Sequence, residues 1–280
     1  DGPIVPLIAE TGGINAMLVD SSALPEQVVD AVVMSAFRSA GQRCSALRLL
    51  VVHESIADGV IEMIQGAARE LVAGDPADLA TDVGPVIDAE AFEGIQRHIA
   101  RLQSEAKELV GTGTAARFAQ VKEEPAKRAG DTEQNALPSS FGANLIVPHA
   151  FEVARIADVK AEIFGPVLQV VRWGSGESSA PQDVIHQINA LGYGLTLGIQ
   201  TRIDSRAQAL AAAAHVGNIY INRNMIGAVV GVQPFGGEGL SGTGPKAGGP
   251  HYLYRFCAEQ TVTVNTTAAG GNATLLATMH

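Results

Sequence analysis

Short apolar runs alternate with amphipathic stretches along most of this chain, and that alternation is its strongest constraint on folding. Ile4, Val5, Leu7 and Ile8 read as a buried strand, and Ile14 to Val19 as a second, closed by Asp20, Ser21 and Ser22. Pro25 opens a helix, because proline is preorganised for a first helical position. Behind it Val28, Val29, Val32, Val33, Ala36 and Phe37 fall on one face at helical spacing, and Gly41 is placed to cap the end. The pattern then repeats. Leu47 to Val52 reads as a strand, Ile56 to Val72 as a helix and Glu90 to Leu109 as another.

Further on, Asn144 to Val147 reads as a strand, and Glu162 to Val167 lead into one that runs through Val171. Pro181 to Ala190 and Ser205 to Ala214 are helical; Leu195 to Gln200, Asn218 to Ile221 and Thr261 to Val264 are extended. Gly111 to Leu137 lacks a clear period and reads as a surface excursion, and Met225 to Pro250 as glycine-rich loop. Strands separated by helices predict an open, largely parallel α/β sheet with helices on both faces. Ligands of such sheets bind in loops beyond the strand ends, which directs attention to the glycine-rich turns.

Two of those turns carry reactive side chains. GQRCSALR, Gly41 to Arg48, places Cys44 between a helix and a strand, and AETGG, Ala9 to Gly13, places a carboxylate at Glu10. A free cysteine most often simply packs. Beside a carboxylate it also reads as a nucleophile with a base to activate water. Arg43 alongside would favour an ionised thiol, or would be a solvated residue at a helix end. Cys257, among Tyr252, Tyr254 and Phe256, reads as packed core or interface.

Other chemistries lack their signatures. Gly237, Gly239 and Gly242 make a formal G-x-G-x-x-G, but no strand precedes it and no helix follows. Pro245 separates Gly244 from Lys246, so no phosphate-binding loop forms. The 7 histidines are scattered, none in H-E-x-x-H or at zinc spacing from a cysteine, so no metal is expected. A net charge of −10 without a basic cluster argues against nucleic acid as a partner. Two cysteines are too few for a disulfide framework, and no apolar run is long enough to span a membrane, so the expected location is cytoplasmic.

Taken together the motifs resemble the aldehyde dehydrogenase superfamily. AETGG resembles its general-base motif, GQRC its nucleophile motif, EIFGPV (Glu162 to Val167) its nicotinamide-ribose motif, and PFGG (Pro234 to Gly237) completes the set in family order. The detail of PLIAETGGINAMLVDSSAL, SAGQRCSALR, GNIYINRNMIGAVVGVQPFGG and GTGPKAGGPHYL is most similar to the L-glutamate γ-semialdehyde (1-pyrroline-5-carboxylate) dehydrogenase branch. Within that branch it looks like the aldehyde dehydrogenase portion of the bifunctional proline-catabolic enzymes of bacteria.

The resemblance implies an α/β aldehyde dehydrogenase catalytic domain over residues 13–245. Residues 1–12 would be the trailing edge of a cofactor-binding domain, and residues 246–280 a C-terminal segment whose Thr261–Val264 strand pairs with a neighbouring subunit or a flap. It implies Cys44 as nucleophile and Glu10 as base, with NAD held by Glu162 and Phe164. Ser45, Gly227, Ala228 and Phe235 would bind L-glutamate γ-semialdehyde. It also implies a homo-oligomer, and FAD only in a separate proline dehydrogenase domain. As the family's cofactor domain lies mostly before the base motif, the resemblance further implies a catalytic fragment that does not turn over alone.

Overall fold

The structure is a computed structural model that describes residues 2, 4–111, 117–118, 144–176, 179–229, 231–265, 274 and 277–278. Its strands are β1 (Ala16–Val19), β2 (Leu49–His53), β3 (Val72–Ala73), β4 (Lys107–Val110), β5 (Arg117–Phe118), β6 (His149–Glu152), β7 (Val167–Trp173), β8 (Tyr193–Gly194), β9 (Thr196–Gln200), β10 (Asn218–Ile221) and β11 (Glu238–Gly239). Its α-helices are α1 (Pro25–Ala36), α2 (Glu54–Glu70), α3 (Ala89–Glu105), α4 (Pro181–Ala190) and α5 (Asp204–Ala213).

Seven strands form the central sheet in the order β10-β9-β1-β2-β7-β6-β4. Every neighbouring pair is parallel except β4 with β6, which is antiparallel. The expected α/β architecture is therefore observed. Successive side chains of a strand point to opposite faces, and the core divides accordingly. Met17 and Val19 join α1, α2 and α3 on one face, with Val28, Val32, Val60 and Ile95. Ala16 and Leu18 join α4 and α5 on the other, with Val184, Ile185 and Leu210. β1 is buried along its whole length, as a central parallel strand must be.

Local signals explain most helix starts. Pro25 and Pro181 occupy first-turn positions, and Asp88 caps α3 by accepting from the Ala91 N–H at 2.8 Å. α1 stops at Ala36, and a short 3-10 turn, Arg38–Gly41, follows. Gly41 closes that turn instead of capping the α-helix.

Five other expectations need correction. Ile4, Val5 and Leu7 are exposed, and among the described residues no strand pairs with them. The strand placed at Asn144–Val147 lies beyond Pro148, at His149–Glu152. Thr261–Val264 forms no strand with the described residues, and Val262 and Val264 are exposed. Cys257 is exposed and so is not packed in the core; it follows a 3-10 turn (Tyr252–Phe256) whose Tyr254 and Phe256 are exposed. The helix expected to reach Leu109 ends at Glu105, and Leu109 lies in β4. Of the irregular region expected from Gly111 to Leu137, residues 112–116 and 119–137 lie outside the described residues. Arg117–Phe118 pairs parallel with β3. No helix among the described residues is long and apolar enough to cross a membrane.

Candidate active site

The motif residues gather at the amino ends of the parallel strands. Glu10 to Gly13 precede β1, Cys44 to Arg48 precede β2, and Glu162 to Gly165 precede β7. Because β1, β2 and β7 are consecutive neighbours in the sheet, their entering segments are brought side by side. Open α/β sheets usually bind ligands at the carboxyl ends of their strands; this one collects its reactive groups at the other end.

Close approach explains two of the motif glycines. A Cβ on Gly12 would run into the Glu162 carboxylate, and one on Gly41 would run into the Gly165 carbonyl oxygen. Gly41 also has φ +63 and follows Ser39 and Ala40 at φ 55 and 52, three successive residues in the left-handed region. For non-glycine residues that conformation costs about 1 kcal/mol each. The turn that delivers Cys44 is held in place by its surroundings.

Those surroundings are polar and buried. Asn15, 2 % exposed, donates from Nδ2 to the Cys44 carbonyl at 2.6 Å and to the Ala46 carbonyl at 2.9 Å. Its Oδ1 accepts from the Thr196 N–H at 3.2 Å. One asparagine thus ties the nucleophile loop to the start of β9. Ser35 on α1 is a second junction: its carbonyl accepts from the Leu47 N–H and its Oγ from the Met225 N–H, both at 3.0 Å. The Cys44 loop and the loop carrying Gly227 are therefore docked on the same helix residue.

Arg48 is the third junction and is fully buried. Its guanidinium donates to the Gly165 carbonyl at 3.1 Å, the Arg43 carbonyl at 3.2 Å and Glu162 Oε1 at 3.3 Å. It also lies over the Phe164 ring, 5.1 Å from its centroid. Burial pushes the guanidinium below the usual arginine range, opposed by the charge and hydrogen bond of Glu162. Nearby, burial pushes the Tyr220 phenol above its ordinary value, opposed by Arg223 and reinforced by Cys44.

Glu162 accepts a second bond, at Oε2 from the Gly13 N–H at 3.1 Å. A carboxylate has about four lone-pair sites, so two stay open for hydroxyl donors such as a ribose diol. Phe164 is 46 % exposed on the same edge and offers a ring face. Both residues fit a nicotinamide nucleotide.

Glu10 is held differently. It bridges to Gly242 as an antiparallel pair, and its neighbours repeat the pairing: the Thr11 N–H donates to the Ser241 carbonyl at 3.1 Å, and the Thr243 N–H to the Ala9 carbonyl at 3.0 Å. Arg255 closes the outer end by donating to the carbonyls of Leu7 and Thr243. A Cβ placed on Gly236 would be 3.3 Å from one Glu10 oxygen, so PFGG lies directly under the base. Glu10 and Cys44 are both exposed.

Ser45 is buried, Phe235 is half-buried and bridged to Ala247, and Gly227 is exposed at φ +78 with open space where a side chain would be. Ala228 and Ile226 are half-buried, and Val229 is exposed. Val230, next along this loop, lies outside the described residues. Among the described residues no group of three or more His, Cys, Asp or Glu side chains has the arrangement to hold a metal ion.

Asn15, Ser35 and Arg48 have no place in the sequence-derived site. Their one signal is position: each is a polar residue set against an otherwise apolar run.

Comparison with known proteins agrees with this geometry. The chain is 51% identical over 259 residues to the bifunctional protein PutA of Escherichia coli (strain K12), covering 92% of this chain and 18% of that protein. It is 35% identical over 250 residues to a 1-pyrroline-5-carboxylate dehydrogenase of Bacillus cytotoxicus, covering 88% of this chain and 43% of that one. A crystal structure of bifunctional proline utilization A (PutA) superposes with a TM-score of 0.79 at 55% identity, over 96% of this chain and 24% of the other. The chain thus spans less than a fifth of the bifunctional relative and under half of the single-function dehydrogenase. The model of the aldehyde dehydrogenase family matches residues 1–127 and 143–262, and with the four motifs gathered on one edge of its sheet the chain belongs to that family.

Proposed function

We propose that this chain carries the acyl-transfer centre of an NAD-dependent L-glutamate γ-semialdehyde dehydrogenase, which oxidises the semialdehyde to glutamate in proline catabolism. The observation that carries the reading is the exposed Cys44 on a loop fixed by Asn15 and Arg48, on the same sheet edge as Glu10. The similarity to 1-pyrroline-5-carboxylate dehydrogenases supports the choice of aldehyde.

In this reading the Cys44 thiolate attacks the aldehyde carbon and forms a thiohemiacetal. The Cys44 backbone N–H, at the tip of the loop, donates to the oxygen that becomes negative in that step. NAD, when bound, supplies the acceptor for the hydride that leaves this carbon, which converts the adduct to a thioester. Glu162 holds the ribose hydroxyls and Phe164 packs beside the nicotinamide. Glu10 takes a proton from water, the resulting hydroxide attacks the thioester, and glutamate leaves as the Cys44 thiol is restored. Gly227 presents backbone N–H to the substrate's α-carboxylate, a role suited to a residue without a side chain. Ala228 and Ser45 assist there, and Phe235 flanks the aliphatic stem. The exposed apolar residues Leu253, Tyr254 and Phe256 suit a subunit interface in a cytoplasmic homo-oligomer.

Hydride transfer needs donor and acceptor held in contact and shielded from water. Cys44, Glu10 and Phe164 all face solvent in this chain. The chain by itself is therefore expected to perform acyl transfer and not NAD reduction. The test is paired: hydrolysis of p-nitrophenyl acetate, which needs no cofactor, beside NADH formation from glutamate γ-semialdehyde and NAD. Cys44-dependent ester hydrolysis without NADH formation supports both statements. NADH formation overturns the second, and ester hydrolysis that survives Cys44→Ala overturns the first.

A further inference from the structure

Cys44 and Ser45 are the central residues of a tight turn, closed by the Ala46 N–H donating to the Arg43 carbonyl at 3.0 Å. Three carbonyls of this segment are engaged. That of Arg43 also accepts from Arg48 at 3.2 Å, and those of Cys44 and Ala46 accept from Asn15 Nδ2 at 2.6 and 2.9 Å. The N–H groups at the centre of the turn are treated differently. Those of Cys44 and Ser45 donate to no group among the described residues. Ser45 is only 6 % exposed, and a main-chain N–H in such a place calls for an acceptor. We propose that the Ser45 N–H is a catalytic oxyanion donor beside that of Cys44, and that Asn15 is the positioning residue that aims it.

The aim follows from the peptide plane. In a planar trans peptide the carbonyl oxygen and the following N–H point opposite ways. The Cys44 carbonyl points at buried Asn15, so the Ser45 N–H points off the other side of the turn. Asn15 is itself fixed, because its Oδ1 accepts from the Thr196 N–H at 3.2 Å. The Cys44 and Ser45 nitrogens flank the Cα that carries the thiol, so both N–H groups are beside any carbon that bonds to the sulfur. In the acyl-transfer reading above, on which this role rests, the Cys44 thiolate adds to a carbonyl carbon. A C–S bond forms, and the carbonyl π pair moves to the oxygen, which becomes negative. Main-chain donors already in place stabilise that charge without reorganising, and the N–H of the residue after a nucleophile is suited to the task. With an ester, the pair returns to re-form C=O as the alcohol group leaves with the electrons of its C–O bond. With an aldehyde, C=O re-forms as hydride leaves the same carbon.

The test compares two reactions of one thiol, in the chain carrying Cys257→Ser so that Cys44 is the single cysteine. Acylation by p-nitrophenyl acetate draws on an oxyanion donor, because the ester's carbonyl oxygen becomes negative as the thiolate adds. Alkylation by iodoacetamide does not, because displacement at a saturated carbon leaves the charge on the departing iodide. Putting the α-hydroxy acid analogue of serine at position 45, by nonsense suppression, turns the N–H into an ester oxygen. The first release of nitrophenolate is expected to slow by about 10²-fold, with alkylation unchanged. Asn15→Ala keeps the N–H but releases the peptide, and should lower the ratio of acylation to alkylation by up to about 10²-fold. An unmoved ratio in the backbone-ester chain overturns the proposal, and so does equal slowing of both reactions, which marks a displaced thiol. An unmoved ratio in folded Asn15→Ala overturns the role of Asn15. If Asn15→Ala does not fold, the backbone ester decides alone, since the N–H it deletes makes no hydrogen bond among the described residues. A parent chain whose Cys44 is alkylated but never acylated removes the acyl-transfer reading itself, a result distinct from acylation indifferent to the Ser45 N–H.

Discussion

The two ends of the same parallel strands have been put to opposite uses. At the carboxyl end of β1, Asp20 is fully buried and accepts from Ser22 Oγ at 2.6 Å, from Thr201 Oγ1 at 2.9 Å and from Arg206. Next to it the Asn222 side chain both accepts from and donates to the Thr201 backbone at 2.9 Å, and Trp173 Nε1 donates to the Val19 carbonyl at 2.9 Å. At the amino end the loops are glycine-rich, Cys44 and Glu10 are exposed, and Arg48 Nε and Thr196 Oγ1 are buried without a hydrogen-bond partner among the described residues. An unpaired buried polar atom costs about 1–3 kcal/mol. Around Asp20 the carboxyl end of β1 is closed by a hydrogen-bonded cluster. Around Cys44 the amino end keeps unmet hydrogen-bonding capacity, at Arg48 Nε and Thr196 Oγ1, and three successive left-handed residues where chemistry is proposed.

If the division is real, substitutions at the two ends should fail in different assays. The largest effect expected is that of Cys44→Ala, which should abolish Cys-dependent release of nitrophenolate from p-nitrophenyl acetate. The unfolding midpoint should stay within about 0.5 kcal/mol of the parent, since the side chain is exposed. Asp20→Ala should do the reverse. It strands Arg206, Thr201 and Ser22 together, so urea unfolding should show a loss of about 3 kcal/mol. Ester turnover per folded molecule should be retained. Loss of turnover in folded Asp20→Ala would break the comparison.

The pH dependence sharpens it. Burial alone would raise the Asp20 carboxyl, yet the bonds from Ser22, Thr201 and Arg206, with the charge of Arg206, outweigh it and hold the group below its ordinary value. A depressed carboxyl contributes its stability above the unfolded-state value, and that contribution is lost as pH falls through the folded one. Urea midpoints should therefore decline below about pH 4, and less steeply in Asp20→Asn. An equal decline in both chains would place the acid sensitivity elsewhere. The smallest effect belongs to the strained turn. Ser39→Gly should stabilise the chain by up to about 1 kcal/mol, less whatever the Arg43 Nε bond to Ser39 Oγ contributes. A clear loss of stability would show that this bond, and not the backbone, governs the turn.

How much of this was legible in the sequence depends on whether the signal was local. α4 and β10 fall where the sequence places them, because Pro181 and the flanking turn residues mark their limits. Ile4 to Ile8 and Thr261 to Val264 misled because an apolar or alternating run becomes a strand only beside a partner, and composition does not reveal partners. At β6 two comparable apolar runs flank Pro148, and spacing alone did not choose between them. The break between α3 and β4 at Ala106 carries no glycine or proline to mark it. In the site, Cys44, Glu10 and Glu162 were legible because their chemistry and motif spacing are distinctive. Asn15, Ser35 and Arg48 were not. What makes them matter is a set of partners up to 190 residues away, as between Ser35 and Met225.

The most direct test of the amino end as an acyl-transfer site is intact-mass measurement of the Glu10→Gln chain after mixing with p-nitrophenyl acetate. The account predicts one stoichiometric acetyl group, mapped to Cys44, that persists because the base for its hydrolysis is gone, with deacylation slowed by about 10²–10⁴-fold. A chain that stays unmodified, or one acetylated elsewhere than Cys44, would contradict it.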